Sequence, residues 1–413
     1  MTPDHHPVSS STTPPATGSV ALTRLLAMAV GVRVFNDTGI QIFAPYLGVI
    51  SAGLGISIVS LGFLVSLRSL MGLATPVIGS IADSVGYRPT MRGLLLAGAA
   101  GMFVVGVSWR LWIAAAGILI TGLGVLSFPP VLQAYMSAQI PYERRSRGLG
   151  VIEYGWALAG ILGLSVSGLL IARFGWRAPF LGLSVALLGA FFLFGAFPAA
   201  PGRHSRTSAG KAMLQWREWP RRFFALIHLE SNTRSAWTAI LVNGLNVFAA
   251  TNVSIVYGVW LTREYDVTTT RLGLVALALG LSELSGSVLV SLIGDRLGKY
   301  RSIVASSACG VVAYLLLPFL NVSVLAVVPG LLIARFLFEV GIVSNISLLS
   351  EQVPSQRGKV LALASATVTT CVAAANITGP LTYSTWGIIG PALAAAGAVC
   401  IAAILMVRWV DER

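Results

Sequence analysis

Long apolar segments, broken by short polar interruptions, run along almost the whole chain. A segment needs about 20 predominantly apolar residues to cross a bilayer as a helix. Twelve segments meet this requirement, so the fold class is predicted to be an all-α membrane protein with twelve spans. In chain order, the predicted spans cover residues 22–49, 56–81, 92–109, 111–138, 149–173, 178–198, 236–261, 271–293, 302–320, 323–350, 360–383 and 387–408.

One polar interruption is longer than the others. About 37 residues separate span 6 from span 7, which predicts two bundles of six helices each. Inside this loop, residues 211–230 mix Arg with Trp and Phe, a pattern typical of an amphipathic helix on the inner membrane surface. An irregular loop is the alternative. The predicted domains are a flexible tail over 1–20, a first bundle over 21–198, a cytoplasmic linker over 199–235 and a second bundle over 236–409.

The composition excludes several classes of protein. Of the 413 residues, 55% are apolar and 10% are charged, against roughly 25% charged in an average soluble domain. A soluble fold of this length needs much more polar surface. A soluble enzyme, a disordered protein and a nucleic-acid-binding protein are therefore excluded, although the formal net charge is +13.

The basic residues indicate how the chain is oriented. Twenty of the 28 Lys and Arg residues lie on the side of the membrane that holds the N-terminus, and five lie on the other side. Loops rich in Lys and Arg stay in the cytoplasm. Both termini and the central loop are thus predicted to be cytoplasmic, in a bacterial-type inner membrane.

The sequence contains no motif typical of an enzyme. Cys309, Cys371 and Cys400 lie inside apolar runs, with no CxxC spacing and no His nearby, so neither a disulfide nor a metal site is predicted. Nucleotide-binding motifs and catalytic triads are also missing from the sequence. We expect a protein that is not an enzyme and needs no cofactor beyond an ion gradient, with a small-molecule substrate, membrane lipid around it and a monomeric state.

The two halves of the chain resemble each other after a shift of about 212 residues. After span 2 the chain reads Gly79-Ser-Ile-Ala-Asp83-Ser-Val-Gly86-Tyr-Arg88, and after span 8 it reads Ser291-Leu-Ile-Gly-Asp295-Arg296-Leu-Gly298-Lys299-Tyr-Arg301. A Pro followed by basic residues comes after spans 4 and 10, and both span 6 and span 12 begin near Trp and Gly. Parallel repeats of six spans are a known transporter architecture.

With these motifs the chain resembles the major facilitator superfamily over residues 20–410. The loop pattern G-x-x-x-D-x-x-G-x-R is that superfamily's best signature, and its recurrence makes the resemblance specific. The resemblance implies two six-helix bundles around a central cavity, lined by spans 1, 4, 7 and 10 and flanked by spans 2, 5, 8 and 11. Span 5 has no Gly-Pro motif and span 4 lacks the usual Arg, which departs from the drug/proton antiporter branch.

The repeated loop is expected to stabilise one conformational state without binding substrate. Gly79 is predicted to permit close helix contact, Gly86 to turn the chain, and Arg88 to pair with Asp83. The residues given this conformational role in the two loops are Gly79, Asp83, Gly86, Arg88, Asp295, Arg296, Gly298 and Arg301.

Ionisable side chains inside membrane spans are costly and therefore indicate function. Arg33 and Asp37 in span 1, and Arg335 and Glu339 in span 10, are spaced i, i+4 and share a helix face. Each pair either shapes the substrate cavity or only neutralises itself for helix packing. The predicted substrate and proton cavity consists of Arg33, Asp37, Gln41, Arg68, Asn243, Asn246, Glu283, Arg335 and Glu339.

Three of the intramembrane charges have no partner within their own helix. Arg68 is expected to meet an anionic substrate or Asp37, and Glu153 in span 5 a structural partner such as Arg301. Glu283 in span 8 has no charged neighbour within one turn of its own helix, so it is protonated, paired across helices or facing water. Of the mid-span carboxylates it is predicted to be protonated most easily and to carry the coupling proton.

Secondary active transport of a small organic solute by alternating access is the function predicted from these features. Proton-coupled efflux of the drug or sugar-efflux kind is the preferred form. The alternatives are an uptake symporter or facilitator for an organic anion or a lipid-like solute, held by Arg33, Arg68 or Arg335, and a membrane receptor that does not transport. The short tails count against the receptor.

Overall fold

All regular structure in the described part of the chain is helical. The structure, a computed structural model, describes residues 19–140, 145–196 and 229–410. Within them the helices form twelve spans in two halves of six, which confirms the predicted fold class. In chain order the spans are Ser19–Gln41 with Phe43–Leu54, Ile58–Leu70 with Thr75–Val85, Tyr87–Val107, Leu111–Gln139, Arg145–Leu158 with Leu164–Phe174, Ala178–Leu193, Thr233–Ser254 with Tyr257–Tyr265, Thr269–Leu297, Lys299–Leu316, Val324–Gln352, Arg357–Trp386 and Ile389–Trp409.

Most of these spans have the length that a membrane requires. Nine of the described helical stretches are long and apolar enough to cross a bilayer by themselves. The ends agree with the predicted windows to within a few residues. Span 9 ends at Leu316, four residues before its predicted end, because Pro318 has no N–H group to continue the helix. Most of the predicted tail and of the predicted amphipathic helix at 211–230 lies outside the described residues.

Span 1 is broken where its polar stripe ends. Pro45 cannot donate a hydrogen bond to the carbonyl of Gln41, and the first helix of the span ends at that residue. Tyr46, just beyond, has φ −111° and ψ 16°, which is not helical. The break separates the half of span 1 that contains the charged residues from the half that packs against the second bundle.

The two halves of the molecule meet at the end opposite the chain termini. There span 11 packs against Ile58–Leu70, span 8 packs against Leu164–Phe174, and Tyr257–Tyr265 packs against Phe43–Leu54. Gly258 permits the last contact, because a Cβ at this position would lie 1.9 Å from the backbone oxygen of Pro45. In the described residues the two halves separate toward the termini, so the cavity between them opens at that end.

Candidate functional site

A cavity of about 620 Å³ lies between the two halves at the middle of the bundle. Eight spans contribute to its wall, from both halves of the chain. Its polar and charged wall residues are Arg33, Asp37, Gln41, Arg68, Ser69, Thr75, Thr251, Ser254, Glu283, Arg335, Glu339, Ser365, Thr369 and Asn376. Seven of the nine residues predicted for the substrate and proton cavity are therefore in its wall.

The first charged cluster is formed by span 1 and span 5. Arg33 Nε donates to Asp37 Oδ2 at 2.7 Å, and the terminal nitrogens of Arg33 reach the Glu153 carboxylate at 3.3 Å. Asn36 donates to the second oxygen of Asp37 at 3.1 Å. Arg33 is 4% exposed and Asp37 is fully buried, whereas Glu153 is about half exposed. Arg33 thus contacts two carboxylates, and its predicted i, i+4 pair with Asp37 is an ion pair.

Glu153 is a site residue that the sequence analysis assigned to the wrong partner. The expected structural partner was Arg301, but Glu153 contacts Arg33 and also accepts a hydrogen bond from Gln133 Nε2 at 2.5 Å. Gly155, two residues further along span 5, allows span 5 to lie close to span 1, because a Cβ there would lie 2.4 Å from the Arg33 Cβ. The glycine-rich stretch of span 5 was the signal for this close approach.

Gln41 continues the polar stripe of span 1, as its spacing predicted. Its Nε2 donates to the backbone oxygen of Trp156 at 3.1 Å, so it connects span 1 to span 5 at the cavity wall. Trp156 itself lines the cavity and was not among the predicted site residues.

Arg68 lies in span 2 and is 2% exposed. Its Nε donates to Thr121 Oγ1 at 3.1 Å, and a terminal nitrogen donates to the backbone oxygen of Gly39 at 2.8 Å. The ring of Phe43 covers the guanidinium, with 4.9 Å between the ring centroid and the guanidinium carbon. Its partners among the described residues are all uncharged, so the expected alternative of an ion pair with Asp37 is wrong.

The second charged cluster is formed by span 8 and span 10. Arg335 forms an ion pair with Glu283 across the two helices and donates to Ser254 Oγ at 3.2 Å. Glu339 accepts a hydrogen bond from Ser287 Oγ at 2.5 Å. The exposed fractions are 23% for Arg335 and 12% for Glu283, so this ion pair is more exposed than the pair between Arg33 and Asp37.

This arrangement decides two questions about span 8 and span 10. Of the alternatives left open for Glu283, the structure shows a pair across helices, with Arg335, and the expectation that Arg335 pairs with Glu339 along its own helix is wrong. The physical reason is that span 8 packs directly on span 10, so Arg335 reaches a carboxylate on the neighbouring helix. Within the described ranges, Glu339 is left with a hydroxyl partner and no ion pair.

Asn243 and Asn246 are the two predicted cavity residues that the structure places elsewhere. Both are buried, and Asn246 donates to the Val242 backbone oxygen of its own helix at 2.9 Å. The face of span 7 that lines the cavity contains Val247, Ala250, Thr251, Ser254 and Ile255. The sequence identified the correct helix but did not show which of its faces is turned toward the cavity.

The first of the two repeated loops has a glycine turn and a hydrogen-bonded aspartate. Gly86 has φ +111°, a region that suits glycine, and it ends the helix as predicted. Asp83 accepts a hydrogen bond from the Tyr87 hydroxyl at 2.5 Å. Arg88 donates to the Phe194 backbone oxygen at 3.2 Å, so the predicted pair between Arg88 and Asp83 is wrong in this structure.

The second loop repeats the turn. Gly298 has φ +79°, and both Arg296 and Arg301 are exposed. The side chain of Asp295 lies outside the described residues. At Gly79 in the first loop the space for a side chain is open, so the close helix contact predicted there is wrong. The halves are apart at this end of the molecule, and nothing in the described residues packs against that glycine.

Known proteins resemble this chain along most of its length. The family model described as Major Facilitator Superfamily matches residues 29–244 and 236–413. An uncharacterized MFS-type transporter, YceJ of Bacillus subtilis, is 23% identical over 310 residues, which cover 74% of this chain and 75% of that protein. The multi-drug resistance efflux pump PmrA of Streptococcus pneumoniae is 22% identical over 301 residues, which cover 68% of this chain and 69% of that protein.

The fold of the chain also matches solved structures. The crystal structure of a D-xylose-proton symporter superposes with a TM-score of 0.75 at 18% sequence identity. The match covers 95% of this chain and 98% of that one.

Proposed function

The chain belongs to the Major Facilitator Superfamily, and from this premise we propose that it exports a small organic solute by proton-coupled alternating access. One observation carries the proposal. A cavity of about 620 Å³, large enough for a small organic molecule, lies between two similar halves and has three cationic and three anionic side chains in its wall. Buried charges at this depth are expensive to maintain unless solute or ions use them.

Alternating access is supported by the way the halves pack. Among the described residues they touch at the end opposite the termini and separate at the terminal end, so in this part of the chain the cavity opens toward the terminal end. Rocking of one half against the other about the cavity exchanges the open and closed ends. The repeated loops with Gly86 and Gly298 lie at the open end, where they act when that end closes.

Export is the proposed direction of transport, and the orientation of the chain is compatible with it. The excess of Lys and Arg on the terminal side favours a cytoplasmic location for that end, so we propose that the cavity in this conformation opens to the cytoplasm, from which an exporter binds its solute. The printed name of the pneumococcal relative, an efflux pump, agrees with this direction. Reporter fusions at Arg413 and in the loop over 263–271 test the orientation, and an extracellular C-terminus would contradict it.

Proton coupling is supported by the second charged cluster. Arg335 faces two carboxylates, Glu283 in ion-pair contact and Glu339 without it, so the cluster has one carboxylate more than its cation can neutralise. A proton on Glu339 removes this excess charge inside the membrane, and Ser287 is its hydrogen-bond partner. We therefore assign the coupling proton to Glu339 and no longer to Glu283. The solved relative with the matching fold is named a proton symporter, which agrees with a proton site in this fold.

The experiment uses everted vesicles that contain the protein and are loaded with protons by respiration. Tetracycline, ethidium, benzoate and xylose are added in turn, while an acridine dye reports the proton gradient and the uptake of each labelled compound is measured. We expect at least one compound to accumulate inside the vesicles and to dissipate part of the gradient. Exchange without proton movement would indicate a facilitator, and binding without exchange would indicate a receptor.

A further inference from the structure

Arg68 is a buried cation that no carboxylate among the described residues neutralises. In that part of the chain its three nitrogens donate hydrogen bonds to Thr121 Oγ1 and to the backbone oxygens of Gly39 and Ile40. Within the described residues no Asp or Glu forms an ion pair with it, although Arg33 and Arg335 each stand beside two carboxylates. A guanidinium in an apolar region without a counter-ion is unfavourable, so this position attracts an anion.

The free donors of Arg68 are suited to one particular kind of anion. A guanidinium has five N–H donors, and three hydrogen bonds leave two of them for a ligand. One unused N–H remains on each terminal nitrogen, and each can donate a charge-assisted hydrogen bond to a carboxylate oxygen. The single positive charge matches one negative charge, whereas a phosphate monoester would bring close to two.

The surroundings of Arg68 hold the guanidinium in the cavity wall. Phe43 covers the guanidinium from span 1 and is itself in the wall. In the same cavity wall, Asn376 of span 11 donates one of its two amide hydrogens to Ser69 Oγ at 3.1 Å, which leaves the second for a ligand. Because Asn376 belongs to the other half of the molecule, a ligand here contacts both halves.

We propose that the transported solute is an organic monocarboxylate whose carboxylate binds Arg68, with its apolar body in the cavity. This inference rests on the proposed transport function and adds the chemical class of the solute. It also separates two roles in one cavity, because the solute's charge is neutralised by Arg68 while the coupling proton is held by the cluster of Arg335, Glu283 and Glu339.

The test measures thermal stabilisation of the purified protein by carboxylates and by their matched amides. The probes are benzoate with benzamide, salicylate with salicylamide, and phenylacetate with phenylacetamide. A ligand that binds the folded state raises the melting temperature. We expect at least one acid to bind the unchanged protein about tenfold or more tightly than its amide, as a charge-assisted hydrogen-bond pair requires.

Substitutions then locate the preference for the acid. Arg68→Gln should remove it, and Arg68→Lys should weaken acid binding while keeping part of the preference, because the charge stays and the planar fork is lost. If the Arg68→Gln variant does not fold, the weakening of acid binding in Arg68→Lys is the result that tests the role of Arg68. Arg234→Gln is the matched control, because Arg234 stacks on Trp409 at 4.9 Å, outside the cavity wall, and should leave the preference unchanged.

Two results would overturn the inference. One is that no acid binds the unchanged protein more tightly than its amide, and the other is that the preference persists in Arg68→Gln. The vesicle experiment separates this failure from failure of the proposed function. Acid binding at Arg68 without any proton-driven transport would refute the transport proposal alone, and transport of uncharged compounds only would refute the carboxylate.

Discussion

Each half of the molecule contains one Arg beside two carboxylates, yet the two clusters are built differently. In the first half, Arg33 pairs with Asp37 one turn further along the same helix, and both are almost fully buried. In the second half, Arg335 has the same spacing to Glu339 but pairs with Glu283 on another helix, and this pair is partly exposed. The same spacing along a helix thus gives two different pairings, because packing against the neighbouring helix decides which carboxylate the Arg reaches.

Each cluster has one carboxylate beyond its closest ion pair, and the surroundings of this carboxylate explain how the two halves can differ in function. In the first cluster the additional carboxylate is Glu153, which is about half exposed and can be stabilised by water. In the second it is Glu339, which is partly buried and has a serine hydroxyl as its hydrogen-bond partner. The unbalanced charge is therefore tolerated in the first half and requires a proton in the second.

The largest expected difference concerns stability. Asp37→Asn removes the closest contact of a buried cation and should lower the free energy of unfolding by about 3 kcal/mol. Glu283→Gln breaks a pair that is partly exposed, and we expect a loss of about 1 kcal/mol. Reversible unfolding in mixed micelles measures both. A larger loss for Glu283→Gln than for Asp37→Asn would reverse the comparison.

A second prediction tests whether the two clusters face one cavity that opens at alternate ends. Gly258→Ala places a methyl group against the Pro45 backbone and should hold the closed end apart. Overpacking of this kind shifts the balance between the two states by about tenfold or more, so the transport rate should fall correspondingly. Gly93→Ala is the control, because its side-chain position is open. Unchanged transport by Gly258→Ala would show that this contact does not gate the cavity.

The smallest effect is expected at Glu153. Glu153→Gln removes a half-exposed charge and leaves the pair between Arg33 and Asp37 in place, so proton-driven accumulation should stay within about twofold of the unchanged protein. The initial rate of accumulation in proteoliposomes measures it. Loss of the proton dependence would place the coupling site in the first half instead.

The architecture could be predicted from the sequence. Twelve apolar windows and the repeated loops predicted the spans, their order and the division into halves, since each of these depends on local composition. The i, i+4 spacing also predicted the pair between Arg33 and Asp37, although the same spacing gave the wrong pair at Arg335 and Glu339. The architecture needs no information about how helices pack, whereas the pairing of the charges does.

The remaining parts of the site depend on contacts between helices. The partner of Glu283 was left open, and Glu153 was expected to meet Arg301, because their true partners are 52 and 120 residues away in the chain. Asn243 and Asn246 were assigned to the cavity because span 7 was correctly identified, but its rotation about its own axis is set by packing against spans 11 and 12. A single sequence does not contain these distances.

The most direct test of the proton assignment compares Glu339→Gln with Glu153→Gln in proteoliposomes, using the solute that the unchanged protein transports in the vesicle panel. Glu339→Gln resembles the permanently protonated form, so protonation can no longer shift the balance between the two open states. We predict that Glu339→Gln still exchanges solute down its gradient but no longer accumulates it when a proton gradient is imposed, while Glu153→Gln does both. Proton-driven accumulation by Glu339→Gln would contradict the account.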